Sequence, residues 1–155
     1  MSGRTNIHAT GVVLGETGLI LRGPPGAGKS LLALDLIEEW GGLLVSDDRV
    51  EIEVTPTGLV MHGPTTIAGL IELRGRGIVS RPFVAQAPLH LVVDLVETLE
   101  RMVEEEALVT ELSGVSIARC PVPRAGVIDS RHQLMLIREA VRALTPDHGS
   151  VEKTT

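Results

Sequence analysis

The octapeptide Gly23-Pro24-Pro25-Gly26-Ala27-Gly28-Lys29-Ser30 constrains this chain more than any other stretch. It fits Gly-x-x-x-x-Gly-Lys-Ser/Thr, a loop whose backbone amides wrap phosphate oxygens. The apolar run Leu19-Ile20-Leu21 precedes it. Leu31, Leu32, Leu34, Leu36, Ile37 and Trp40 follow at helical spacing, and Gly41-Gly42 stops the helix. Strand, loop and helix in that order bring the positive end of a helix against a bound anion. Pro24 and Pro25 have no N–H, so the donors must come from residues 26–30. Lys29 would reach the β- and γ-phosphates and the Ser30 hydroxyl would sit on Mg²⁺. These eight residues are the expected contacts of a nucleoside triphosphate.

Two further stretches carry chemistry. Leu43-Leu44-Val45-Ser46-Asp47-Asp48 reads as an apolar strand ending in two carboxylates. In nucleotide-binding sheets such a strand supplies the acidic residue that works with Mg²⁺. Adjacent strand residues point to opposite faces. One of the pair is therefore expected to face the γ-phosphate, and the other to brace the loop or a metal-bound water. Ile71-Glu72-Leu73-Arg74-Gly75-Arg76-Gly77-Ile78 sets a carboxylate and two arginines among glycines that let backbone approach a ligand. On its own, a charged surface turn explains that stretch equally well.

Composition narrows the classes. With 155 residues, 43% of them hydrophobic, the chain has enough apolar material for one domain with a real core. A net charge of −6 and an aromatic content of 1% leave neither a basic stripe nor stacking platforms for nucleic acid. A single cysteine, Cys120, excludes an internal disulfide and suits a reducing compartment. The first residues have no apolar signal-peptide core. The most apolar run, residues 89–96, is short and broken by Asp94, which excludes a membrane-spanning helix. The expectation is a soluble cytoplasmic protein.

The remaining elements follow from pattern. Strands are expected over residues 7–9, 11–14 and 19–22, the last two joined by a turn at 15–18. His8 falls in the first of them. So strand-rich a prelude to a phosphate loop is unusual. A second hairpin is expected over 50–54 and 59–62, across Pro56-Thr57-Gly58. A buried strand is expected over 89–95 and another over 116–119. Residues 98–109, with Arg101 and Glu104-Glu105-Glu106, read as a solvated helical face or loop. Residues 120–126 read as a proline-stiffened loop. Asp129 or Ser130 should cap a last helix running through Leu144, with Leu134, Ile137, Val141 and Leu144 on one face. The domain is expected over 1–145, with residues 146–155 a polar, flexible tail.

Taken in order, His8, the loop, Val45-Ser46-Asp47-Asp48-Arg49-Val50-Glu51-Ile52 and Glu72-Leu73-Arg74-Gly75-Arg76-Gly77-Ile78 resemble one family. It is the catalytic domain of HPr kinase/phosphorylase, which phosphorylates a seryl residue on the small phosphocarrier HPr. The resemblance runs from about His8 to Arg142. It implies an α/β fold with a phosphate-loop kinase core like that of phosphoenolpyruvate carboxykinase, a strand-rich mixed sheet with few helices. By position it makes His8, Lys29, Asp48 and Arg101 the catalytic set. Asp48 is then the proton-transferring aspartate, and Ser30 and Glu72 are ligands of Mg²⁺. ATP, Mg²⁺, an HPr-type carrier (or its nitrogen-branch homologue) and a hexameric homo-oligomer are implied with it. So is reversal by phosphorolysis.

The chain departs from the family pattern in three places. It begins almost at the kinase core, like shortened forms in some proteobacteria. Its loop has Pro24-Pro25 where polar residues are usual. The late loop associated with dephosphorylation usually resembles Pro-Val-Arg-Pro-Gly-Arg, whereas residues 121–126 read Pro-Val-Pro-Arg-Ala-Gly. Two other readings fit the phosphate loop taken alone: a small-molecule or nucleotide kinase, for which no arginine-bearing lid is visible, and a non-catalytic nucleotide-dependent switch module.

Overall fold

A computed structural model describes residues 3–144. β2 (Thr10–Leu14) and β3 (Thr17–Arg22) pair as the expected hairpin, with Leu14 opposite Thr17. β3 runs into the glycine-rich loop, and α1 (Lys29–Trp40) leaves it. α1 returns through Gly41 to β4 (Leu43–Ser46), which pairs with the outer side of β2. β10 (Leu91–Val96) lies parallel to β3 on one side and to β12 (Val115–Pro123) on the other, and β11 (Val109–Leu112) closes that edge. The six-stranded order is β11-β12-β10-β3-β2-β4.

Alternation along these strands feeds two separate cores. Leu19, Leu21, Leu91, Val93 and Val122 face α1 and α2 (Ser130–Ala143). Ile20, Val92 and Ile117 face a second sheet of four strands. That sheet consists of β1 (Arg4–Ile7), β5 (Val50–Thr55), β6 (Gly58–His62) and β9 (Gln86–Leu89), in the order β1-β5-β6-β9. The two sheets touch closely at Gly18, where a Cβ would lie 1.9 Å from the Pro88 carbonyl oxygen. Only glycine fits there. α1 is apolar beyond a single stripe, because the small hairpin β7 (Leu70–Leu73) and β8 (Gly77–Ser80) packs on it and buries Ile71 in the same core. The fold is mixed α/β, rich in strands, with two α-helices among the described residues.

Several boundaries differ from the sequence reading. The first strand ends at Ile7, so His8 and Ala9 sit in the bend after it. The stretch expected as a proline-stiffened loop from Cys120 instead continues β12 through Pro123. Beyond Ala118 only β10 flanks this strand, so prolines at 121 and 123 break no ladder on the open side. Residues 98–109 are irregular and exposed but for a 3₁₀ turn (Glu105–Leu108) and the start of β11. Asp129 caps α2 as expected, its carboxylate accepting the His132 N–H at 2.9 Å. The expected tail, 146–155, lies outside the described residues.

Candidate active site

The loop turns at positive φ, a region glycine enters without steric cost. Gly26 and Gly28 take φ 82 and 94, and Gly28 caps α1 in the left-handed region. The Ala27 N–H is used by the Pro24 carbonyl at 3.0 Å, and Leu32 is the first residue to close a helical bond, onto Gly28. The N–H groups of residues 28–31 close no backbone hydrogen bond among the described residues. With no acidic side chain in its first turn, α1 presents a free anion-binding end. Lys29 Nζ folds back over the loop and donates to the Gly23 carbonyl at 2.8 Å. Pro25, Gly26, Gly28, Lys29 and Ser30 line one end of an open cavity of about 570 Å³.

Asp47 is the hub of this end. Its Oδ1 accepts the Ser30 hydroxyl at 2.7 Å and the Thr10 hydroxyl at 3.0 Å, and its Oδ2 accepts the Glu72 N–H at 3.1 Å. The carboxylate thus ties β2, the loop helix and the β7–β8 hairpin together. Because the Ser30 proton points to Asp47, the serine oxygen keeps its lone pairs for another partner. Asp48 differs in every respect. It is exposed, takes φ 66, and its side chain makes no hydrogen bond among the described residues. Both aspartates line the cavity, Asp47 bonded to the Ser30 hydroxyl of the loop helix and Asp48 with an unbonded side chain among the described residues. Strand alternation ends at Ser46, so it does not reach either of them.

The opposite wall comes from the hairpin: Glu72, Leu73, Arg74 and Ile78. The Glu72 carboxylate is exposed and carries no hydrogen bond among the described residues, while its backbone is fixed on Asp47. No three His, Cys, Asp or Glu side chains among the described residues converge as metal ligands. A divalent ion here would take one or two protein oxygens and fill its shell with phosphate and water, as Mg²⁺ does. Ser30 and Glu72 are hard oxygen donors of the right kind for that ion.

His8 and Arg101 are exposed, and neither lines the cavity. Below the loop, Arg22 donates to both oxygens of Asp94, at 2.8 and 3.0 Å, and Arg119 donates to one of them at 2.6 Å. Burial pushes the Asp94 carboxyl up, but hydrogen bonds and charge from the two guanidiniums outweigh it and hold it below its usual value. The sequence reading missed Thr10 and this triad. The available signal for Thr10 was one polar side chain at the head of a buried apolar strand.

Comparison with known proteins gives a consistent picture. The family described as the HPr Serine kinase C-terminal domain matches residues 1–154. An HPr kinase/phosphorylase of Acidovorax sp. (strain JS42) is 32% identical over 152 residues, covering 90% of this chain and 46% of its own length. Another, from Aromatoleum aromaticum, is 32% identical over 167 aligned positions, covering 99% of this chain and 52% of its own. The chain therefore spans about half the length of the curated relatives it matches. The HPr(Ser) kinase/phosphatase structure from Coxiella burnetii superposes with a TM-score of 0.77 at 24% identity, covering 97% of this chain and 96% of that one. At that identity the likeness shows the fold.

Proposed function

The chain belongs to the family of HPr serine kinase C-terminal domains, and from that premise and the loop geometry we propose an ATP-dependent protein-serine kinase acting on a small HPr-type phosphocarrier. The observation that carries the reading is the pairing at one cavity of two unlike aspartates. Asp47 is saturated and builds the site; Asp48 is free and faces the same space as the phosphate loop. A general base must be uncommitted and within reach of the proton it takes. Asp48 meets the first requirement, and it lines the cavity beside the loop that would hold the phosphates.

In this reading the free amides of residues 28–31 and Lys29 hold the phosphate chain. Lys29 exchanges its carbonyl partners for phosphate oxygens. Ser30, oriented by Asp47, and Glu72 would hold Mg²⁺, which neutralises charge on the phosphates when bound. Asp48 accepts the seryl proton as the oxygen attacks. His8 and Arg101 keep the catalytic roles that the family resemblance implies. The phosphoenolpyruvate carboxykinase-like core and a hexameric assembly belong to the same proposal. Incubation with Mg²⁺, ATP and purified HPr-type carrier tests it. Mass spectrometry should find one phosphoryl group on a carrier serine; an unmodified carrier beside intact nucleotide binding would overturn it.

A further inference from the structure

We propose that Thr10 is a positioning residue that sets both aspartates through one hydroxyl, an inference that rests on the reading of Asp48 given above. Thr10 opens β2 and is completely buried. Its Oγ1 donates to Asp47 Oδ1 at 3.0 Å and accepts the Asp48 N–H at 3.1 Å. The two bonds fix each other: with the hydroxyl proton on Asp47, a lone pair is left for the Asp48 amide. That amide bond is the one hydrogen bond Asp48 makes among the described residues.

The dependence of Asp48 on Thr10 follows from its backbone. At φ 66 a non-glycine residue occupies a sparsely populated region that its surroundings must enforce. The carboxylate itself is held by nothing, so its place is set by the turn beneath it, and Thr10 holds the turn. Packing does not explain the hydroxyl. Valine has the same shape, suits a strand start equally well, and would avoid burying a polar group. Both hydrogen bonds of the buried hydroxyl go to the two aspartates, which points to their placement as its reason for being there. Misplacing a reacting group by an ångström can lower a rate by about 10²-fold.

Thr10→Val removes the hydroxyl and keeps the shape; Thr10→Ser keeps the hydroxyl and drops the methyl. Three quantities are measured on each: hydrogen exchange at the Asp48 amide, affinity for Mg²⁺·ATP, and kcat with KM for ATP. For the valine variant, Asp48 exchange should quicken by about tenfold or more. Its kcat should fall by about 10- to 100-fold, with KM for ATP within about threefold of wild type. Serine should restore all three to within about threefold. A packing role requires the reverse order, with valine harmless and serine damaging, and that result would overturn the proposal. So would wild-type exchange and kcat in the valine variant. Should that variant not fold, Thr10→Ala is read by the same exchange, and an unchanged Asp48 amide there is equally fatal. If wild type itself transfers no phosphoryl group, the proposed function falls, while the amide exchange still decides on Thr10.

Discussion

Asp47→Asn and Asp48→Asn are expected to fail in opposite ways, although the residues are neighbours of one type. Asp47 offers Oδ1 to two hydroxyls and Oδ2 to the Glu72 N–H. An amide keeps one acceptor oxygen. With that oxygen on Ser30 and Thr10, its NH₂ meets the Glu72 N–H, donor against donor. Flipped, the NH₂ faces the Ser30 and Thr10 hydroxyls, whose protons lose the oxygen they were donated to. At least one bond is lost in either orientation and a donor is left unanswered, which costs about 1–3 kcal/mol. For a domain of this size that lowers Tm by about 2–12 °C. Asp48→Asn breaks nothing, because its carboxylate makes no hydrogen bond, and asparagine tolerates positive φ well. Its Tm should stay within about 2 °C of wild type, while phosphoryl transfer drops by about 10²-fold or more. Calorimetry and transfer of labelled phosphate, run on both variants, separate the cases. Equal, small rate losses in the two variants, or a Tm loss at Asp48 as large as at Asp47, would refute the division of labour.

Three further outcomes follow from the same geometry. Glu72→Gln should raise the Mg²⁺ concentration for half-maximal rate and leave folding nearly unchanged, since the carboxylate is exposed and unbonded; an unaltered Mg²⁺ dependence would count against it. Asp94 titrates below its free value near 3.9, so its stabilising contribution is complete above about pH 4 and is lost as pH falls through its folded value. Asp94→Asn should therefore cost about 1–3 kcal/mol at neutral pH, the buried-pair figure reduced for the solvent that still reaches these side chains. The gap to wild type should close under acid, and a gap constant down to about pH 2.5 would contradict this. Phosphorolysis should be weaker than the forward reaction, because the late loop keeps one arginine, Arg124, where the family pattern has two to hold a phosphate. Pyrophosphate release matching the kinase rate, with phosphate saturating below about 1 mM, would show otherwise.

The parts legible in the sequence were those whose cause is local. The loop is specified by glycines at fixed offsets, α2 by its Asp129 cap, and the β2–β3 hairpin by a turn between alternating residues. What escaped depends on contacts between distant segments. The second sheet has the expected β5–β6 hairpin at its middle, but its outer pairings, β1 with β5 and β6 with β9, join distant segments that no local pattern announces. The continuation of β12 through two prolines required knowing that β11 begins only at Val109, the partner of Ala118, and so leaves positions 121 and 123 unpaired on that side. The Asp pair was visible as a motif, yet which member braces and which stays free was decided by Thr10, thirty-seven residues away from Asp47, and by the amide of Glu72. His8 and Arg101 were found only by resemblance, and the described chain leaves both outside the cavity.

The most direct test is incubation of the purified chain with γ-labelled ATP, Mg²⁺ and a panel of purified phosphocarriers. The account predicts label on a carrier of the HPr type, stable to acid and released by alkali, as phosphoserine is. It also predicts that labelling slows by about 10²-fold or more when Asp48 is replaced by asparagine. Nucleotide turnover with no labelled carrier, or labelling that keeps its wild-type rate without Asp48, would contradict it.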